Sequence, residues 1–241
     1  MIQPTVVIEE VIGRATQGMT RPFICRGDDG LIYFVKGIGA SRRSQVVEWV
    51  CAKLATAFGL PIADYVLADV PQALIDAKVN ADIRELGAGM AFSSCQVPHA
   101  QEFSISMADR VIDDQAMDVL VFDWWVRNED RKLTALGGNP NLLWDVRADE
   151  LKVIDHNLAF DRDFNPKEFL ARHVFRDHWS RVLGDLDLRE RYIQRIEDCL
   201  QLLADVRDSI PESWWWRDEG VLANVTWDEI EVVLLRARQP Q

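Results

Sequence analysis

The sequence predicts an α+β protein built from two unequal lobes, a small strand-rich lobe followed by a larger and mostly helical one. Two observations support this prediction. Short β-branched runs separated by glycine-containing turns are concentrated in the first third of the chain, and helical patterning dominates from residue 106 onward. We place the boundary at residue 100, so that residues 1–100 form the first lobe and residues 101–241 the second.

The first lobe begins with strand candidates joined by turns. The segment Gly27-Asp28-Asp29-Gly30 is a strong turn signal between two apolar runs, so it predicts a β-hairpin whose second strand ends at Lys36. Residues 13–21 are polar, include two glycines and are predicted to form a loop before this hairpin. Strands are predicted at residues 5–8, 11–12, 22–25 and 31–36.

A helix is predicted after the hairpin, because Val46, Val50 and Leu54 recur at helical spacing. Gly59 and Pro61 are expected to end this helix. The rest of the first lobe is predicted to contain a strand at residues 63–70, a short helix with a loop at residues 71–86 and a glycine-rich connection between the lobes at residues 87–92.

Helix signals dominate the second lobe. Residues 116–126 are apolar on almost every side of a helix, which predicts a buried helix. A β-hairpin is predicted from strands at residues 141–146 and 151–154, with a polar turn between them. Three further helices are predicted at residues 166–183, 188–209 and 227–238.

The composition limits the class of protein. A hydrophobic content of 48% with 27% charged residues is typical of a globular protein. The sequence contains no run of eighteen apolar residues, so no membrane span is predicted. The first residues lack the pattern of a secretory signal. Four widely separated cysteines form no Cys-x-x-Cys pair, so we expect free thiols in a cytoplasmic protein rather than a zinc site.

The formal net charge is −12, which disfavours direct binding to nucleic acid or to an acidic membrane. Small basic groups, such as Arg42-Arg43 and the group around Arg131, are most simply explained as solvated faces of the molecule.

Three polar residues of the second lobe stand next to apolar segments. Singly, Asp130 is explained by a loop after a helix, Asn141 by a turn and Asp155 by a helix N-cap. In this order they also match the needs of a phosphotransferase, in which one carboxylate orients a nucleophile while an amide oxygen and a second carboxylate hold Mg²⁺ on ATP. A carboxylate near a helix C-terminus is unfavourable, so we expect Arg131, a metal ion or a substrate hydroxyl to compensate the charge of Asp130.

The first lobe could supply the phosphate-binding residues of such a site. A lone lysine like Lys36 is usually a strand-edge residue, but in a kinase it would contact phosphates and pair with a glutamate of the next helix, here Glu48. The loop before the hairpin lacks a Gly-x-Gly-x-x-Gly motif. Its backbone N–H groups, around Gly18 and Thr20, could still cover phosphates.

Other functional signals are weaker. His156 and His178 have no accompanying Ser or Cys nucleophile motif, so a hydrolase triad is poorly supported. No His-Glu-x-x-His sequence is present, which argues against a zinc enzyme. The run Trp214-Trp215-Trp216 is explained by core packing of one or two rings, with a partner-binding patch as the alternative.

Residues 5–160 resemble the HipA-like kinases, a bacterial family distantly similar to phosphatidylinositol 3/4-kinases and protein kinases. The short branch, which lacks an extra N-terminal domain, is the most similar. The resemblance rests on these segments: Val35-Lys36, Glu48 in its helix, Asn128-Glu129-Asp130-Arg131, Asn139-Pro140-Asn141-Leu142-Leu143 and Ile154-Asp155-His156. It implies a two-lobed, protein-kinase-like fold and an ATP- and Mg²⁺-dependent serine/threonine kinase.

The resemblance also implies a role for each matching residue. Asp130 would orient the substrate hydroxyl, and Asn141 and Asp155 would bind Mg²⁺. Lys36 would bind phosphate, and His156 would take the place of the Phe in the protein-kinase Asp-Phe-Gly element. The substrate would be a protein, and some members act as toxins restrained by a partner, or antitoxin, encoded beside them.

One feature departs from the family pattern. Asn141 follows Asp130 by eleven residues, whereas related loops place the amide about five to seven residues after the acid. Leu136-Gly137-Gly138 therefore resembles an insertion, and either Asn139 or Asn141 could be the metal ligand. Two alternative functions remain at this point: a nucleotide-binding pseudokinase or regulatory module, and a kinase for a small molecule or lipid head group.

Overall fold

The computed structural model of the chain describes residues 5–16, 20–77, 82–133, 137–218 and 220–238. Its contacts group into two compact units. The first unit comprises Met1–Trp49, Ala63–Val97 and Ser209–Val225, and the second comprises Val50–Ile62, Pro98–Asp208 and Thr226–Gln241. The division of the chain into lobes at residue 100 stays a prediction.

The first unit is built on a closed five-stranded sheet. Its strands are β1 (Thr5–Arg14), β2 (Phe23–Gly27), β3 (Ile32–Lys36), β4 (Tyr65–Val70) and β5 (Gly89–Cys95). They lie in the order β1-β2-β3-β5-β4, with β4 parallel to β1 and the other neighbours antiparallel. The predicted hairpin is present, with Cys25 opposite Tyr33.

Apolar side chains fill the interior of this sheet, among them Ile8, Cys25 and Val35, each at most 1% exposed. The remaining elements of the first unit are short. They are α2 (Gln72–Asp76), the 3₁₀ turns Ile38–Ala40, Ile83–Glu85 and Glu212–Trp215, and the hairpin of β9 (Trp216–Asp218) and β10 (Val221–Leu222).

The tryptophan run divides between core and surface. The indole of Trp214 is fully buried, donates to the Met90 carbonyl at 2.8 Å and meets Trp49 edge to face. Trp216 is 41% exposed. At least one of the three rings is therefore a core residue, as the simpler interpretation expects.

The prediction that residues 87–92 connect two lobes is wrong. Most of this segment lies in β5, which pairs with both β3 and β4. β5 also carries polar residues, which are compatible with a buried strand when they form hydrogen bonds. The hydroxyl of the fully buried Ser93 donates to the Val66 carbonyl at 3.1 Å.

The second unit combines helices with a small sheet. Its elements are β6 (Ala100–Glu102), α3 (Asp113–Val126), β7 (Leu142–Asp145), β8 (Glu150–Val153), α4 (Pro166–Arg172), α5 (Trp179–Gly184), α6 (Leu186–Leu200), α7 (Leu203–Asp208) and α8 (Trp227–Leu235), with further 3₁₀ turns at Ile105–Arg110, Arg176–His178 and Arg236–Arg238. The sheet has the order β6-β7-β8. The predicted hairpin is the β7–β8 pair, in which Leu142 lies opposite Val153.

The helix α1 (Arg42–Phe58) supplies residues to both units and ends at Gly59, whose φ of 88° suits glycine. Two predicted helices are each interrupted. Residues 166–183 form α4, a 3₁₀ turn and α5, and residues 188–209 contain most of α6 followed by α7. No helix in the described part of the chain is long and apolar enough to cross a membrane.

Candidate active site

The site begins where α3 ends. Arg127 adopts a left-handed conformation with φ of 56°, and the Asn128 amide donates to the Asp123 carbonyl at 2.8 Å. This C-terminal turn reverses the chain direction. The Asn128 side chain then donates to Oδ1 of Asp123 at 2.9 Å, which fixes the start of the loop that carries Asp130.

Asp130 and Asn141 are in direct contact despite the eleven residues between them. Nδ2 of Asn141 donates to Oδ2 of Asp130 at 2.9 Å. Because the amide nitrogen is committed to Asp130, the amide oxygen Oδ1 is the atom of Asn141 suited to a cation. Asn141 is 5% exposed and has a left-handed φ of 50°, a conformation that Asn adopts more readily than most residues.

Asp155 lies two residues after β8 and is tied to the same place. The Ile154 amide donates to the Asn141 carbonyl at 3.1 Å, which extends the β7–β8 pairing by one bond. Asp155 also has a left-handed φ, 54°. Burial raises the pKa of Asp130, and the charge of Asp155 raises it further, while the hydrogen bond from Asn141 opposes this shift. The two carboxylates are therefore near enough to repel each other.

These residues fit a magnesium ion. The described residues contain no group of three His, Cys, Asp or Glu side chains placed to hold a metal. Mg²⁺ does not need one, since it usually keeps several waters and takes one or two protein oxygens together with phosphate. Asn141 and Asp155 provide one amide and one carboxylate, both hard oxygen donors.

The two candidate asparagines differ in their surroundings. Asn139 is exposed, and its Oδ1 accepts a hydrogen bond from the Asn141 amide at 3.2 Å, whereas Asn141 is buried against Asp130. The long loop between the acid and the amide returns at Gly138, which has φ of 145° and lies so near Lys132 that a Cβ would be 2.3 Å from its carbonyl oxygen. The burial of Asn141 and its contact with Asp130 therefore favour Asn141 over Asn139 as the candidate metal ligand.

In the first unit, Lys36 and Glu48 form the expected ion pair between Nζ and Oε1, with side chains only 8% and 3% exposed. Gln45 donates to the Lys36 carbonyl at 2.5 Å. Thr20 is half-buried, and Gly18 lies outside the described residues. The predicted nucleotide-binding roles of these four residues stay predictions.

A fully buried polar cluster in the second unit, centred on Asp123, was not predicted from the sequence. Asp123 in α3 is fully buried and pairs with Arg131, Nε to Oδ2 at 2.6 Å. Arg131 was one of three groups expected to compensate the charge of Asp130, but its ion pair is with Asp123. His173 approaches the same Oδ2 at 3.0 Å. The available signal was a carboxylate placed directly between the apolar residues Phe122 and Trp124, because a buried charge needs a partner.

Charge compensation controls the ionisation of this cluster. Burial acts to raise the pKa of Asp123, but Arg131, His173 and His156 together outweigh it and lower the pKa. Burial lowers the pKa of His173, against the opposing effect of Asp123. Nδ1 of His173 accepts from the Phe175 amide at 3.1 Å, so its Nε2 carries the proton that is donated to Asp123.

The chain is similar to a known family in sequence and to a solved structure in fold. The chain matches a family model described as HipA-like kinase over residues 8–241. A search of curated proteins finds none that matches. Among solved structures, the Helicobacter pylori proinflammatory kinase CtkA is similar, with a TM-score of 0.50 and 11% identity over 98% of this chain and 95% of that chain. This likeness supports a kinase-like fold of strands and helices. Because the family match spans nearly all of its residues, the chain belongs to the HipA-like kinase family.

Proposed function

We propose that this kinase uses ATP and Mg²⁺ to phosphorylate a serine or threonine of a protein. The observation that supports the proposal most strongly is the contact between Asp130 and Asn141, with Asp155 held next to them through the β7–β8 pairing. A catalytic acid, an amide ligand and a carboxylate ligand in this arrangement are the parts that phosphoryl transfer requires.

Each residue has a distinct task in this proposal. Asp130 accepts a hydrogen bond from the substrate hydroxyl and orients it for attack. Burial raises the pKa of Asp130, which makes it a better proton acceptor than an ordinary aspartate. Asn141 and Asp155 would hold Mg²⁺, which when bound neutralises charge on the phosphates. Lys36, oriented by Glu48, would bind phosphate oxygens.

Transfer from γ-labelled ATP tests the proposal. The wild-type chain, incubated with Mg²⁺ and cell lysate, is expected to label a protein band, and acid hydrolysis should recover phosphoserine or phosphothreonine. Asp155→Asn is expected to remove the label, because a carboxylate ligand is lost. The exposed Asp163→Asn serves as the matched control and should retain full labelling.

The same assay separates the alternative functions. Nucleotide binding without any transfer would favour a pseudokinase or regulatory module over our proposal. Label recovered only in lipid or small-molecule fractions would favour a small-molecule kinase. Label in protein that persists at full strength in Asp155→Asn would refute the assigned metal site.

A toxin role, with an antitoxin encoded beside the gene, is a further part of the proposal and rests on the family alone. Expression of the wild-type chain is expected to arrest growth of a bacterial host, and Asp130→Asn is expected to relieve the arrest. Equal arrest by both proteins would show that phosphoryl transfer is not the cause.

A further inference from the structure

The buried ion pair of Asp123 and Arg131 requires an explanation, since both side chains are 0% exposed. Buried ion pairs rarely contribute net stability, because desolvation of both charges offsets their attraction. The pair lies between α3 and the loop of Asp130. Its hydrogen bonds show what it holds in place.

Arg131 uses all of its donors. Nε and Nη2 donate to the two carboxylate oxygens of Asp123, at 2.6 Å and 3.4 Å. Nη2 also lies 3.1 Å from Nε2 of His156, which must accept because a guanidinium nitrogen can only donate. Nη1 donates to three backbone carbonyls, at distances of 3.1, 2.7 and 3.2 Å: Pro140, Asn141 and Ile154.

Those carbonyls belong to the peptide groups around the two proposed metal ligands. The Pro140 and Asn141 carbonyls flank Asn141 on both sides, and the Ile154 carbonyl belongs to the peptide that leads into Asp155. Both ligands have left-handed φ angles, 50° and 54°, which Asn and Asp adopt more readily than other non-glycine residues but less readily than the right-handed conformation. Fixing the adjacent peptide planes sets the direction of each Cα–Cβ bond and opposes relaxation of these conformations.

Asp123 is itself fixed from several directions. Its Oδ1 accepts from Asn128 at 2.9 Å, and its Oδ2 accepts from His173 at 3.0 Å. The Arg131 guanidinium therefore binds a carboxylate that is held in one orientation. The two hydrogen bonds between them define the plane of the guanidinium.

We propose that Arg131, anchored by Asp123, is a positioning residue that holds Asn141 and Asp155 in the geometry that binds the metal–nucleotide complex. The inference rests on the proposed function and extends it to residues outside the ligand set. Lysine cannot replace the arginine, because one ammonium has three donors at a single point and cannot reach both the carboxylate and three carbonyls.

The test compares metal binding with stability in the full chain. Loss of the Mn²⁺ electron paramagnetic resonance signal measures Mn²⁺ affinity in the presence of a non-hydrolysable ATP analogue. Thermal unfolding measures stability. Arg131→Lys is expected to weaken Mn²⁺ binding about 10- to 100-fold, the range typical of residues that orient metal ligands. Arg172→Lys, on an arginine that is 55% exposed, is the control and should bind as wild type does.

A double variant addresses the risk that a single variant fails to fold. Asp123→Asn with Arg131→Gln removes both charges together, so that neither is left buried without compensation. It is expected to fold with a Tm near that of wild type and to bind Mn²⁺ at least 10-fold more weakly. A double variant that binds Mn²⁺ normally, or that no longer folds, would overturn the inference, because the pair would then be either irrelevant to the metal or purely structural.

The assay also separates this inference from the proposed function. Wild-type protein that binds Mn²⁺ with the nucleotide analogue but transfers no phosphate would refute the kinase activity and leave the positioning role intact. Normal metal affinity in the folded double variant, with phosphate transfer by wild type, would refute the positioning role alone.

Discussion

At the scale of single residues, the candidate site depends on a few buried polar side chains whose partners are distant in the sequence. Asp130, Asn141 and Asp155 could be selected from the sequence, because their order after a buried helix and around a β-hairpin is one that phosphoryl transfer explains. Their roles stay predictions. The link between Asp123 and Arg131 was not predictable, because an acid in a buried helix requires a partner but no spacing rule identifies that partner in the following loop.

His173 offers a test of the buried cluster through pH. In the folded state its pKa lies below the ordinary value of about 6.5, chiefly because of burial. Between pH 7 and pH 5 the unfolded chain therefore binds a proton that the folded chain does not, and stability falls as the pH is lowered. His173→Gln, which keeps a donor and an acceptor but does not titrate, should flatten the Tm profile over this range. Identical slopes would contradict a neutral, buried His173.

The ion pair of Lys36 and Glu48 makes a second prediction at this scale. Lys36→Met leaves a glutamate that is 3% exposed without its lysine, and we expect a loss of roughly 3 kcal/mol in the free energy of unfolding. The double variant Lys36→Met with Glu48→Gln should regain most of this stability but not nucleotide affinity. Denaturant unfolding and titration with a fluorescent ATP analogue measure the two quantities. Recovery of both would exclude Lys36 from phosphate binding.

At the scale of elements, helices and strands with strong periodic patterns could be predicted, whereas backbone pairings that depend on the tertiary fold could not. The helix predicted at residues 166–183 breaks at His173, although no glycine or proline lies there. The backbone around His173 pairs instead with the Asp130 loop: Val174 donates to the Arg131 carbonyl at 3.1 Å and Leu133 donates to the Arg172 carbonyl at 3.3 Å. The helix interruption thus supports the site, and only the tertiary structure reveals it.

Gly138, in the loop between Asp130 and Asn141, gives a testable prediction about that loop. Gly138→Ala would place a Cβ 2.3 Å from the Lys132 carbonyl oxygen at a φ of 145°, so the loop must shift away from the Asp130 segment. We expect a loss of roughly 1–3 kcal/mol in stability, together with reduced phosphate transfer. Gly13→Ala is the matched control, because nothing lies within 4 Å of its Cβ position. Equal Tm values for the two variants would show that the close approach is not required.

At the scale of the whole molecule, the mixed architecture of strands and helices agrees with the sequence prediction, and the family match extends it to a kinase. The two larger sheets were only partly predictable. β6 has three residues, too few for any alternation to be recognised, and β5 carries polar residues that become acceptable only through partners on neighbouring strands.

The net charge of −12 leads to a prediction for the whole chain. We expect no binding to duplex DNA or RNA, because the phosphate backbone is repelled and no counterion release compensates. Fluorescence anisotropy of a labelled duplex at low salt measures this directly. Binding that weakens steeply as salt is added would reveal a basic surface that the total charge conceals.

If Asp130 is the catalytic acid of an active kinase, its replacement must slow phosphate transfer without unfolding the chain. The measurement is the rate of transfer from γ-labelled ATP by wild type, Asp130→Asn and the control Asp163→Asn, with Tm recorded for each. We expect Asp130→Asn to transfer at least about 100-fold more slowly while its Tm is maintained, and Asp163→Asn to match wild type. Transfer by a folded Asp130→Asn variant at the wild-type rate would show that Asp130 is not the catalytic acid.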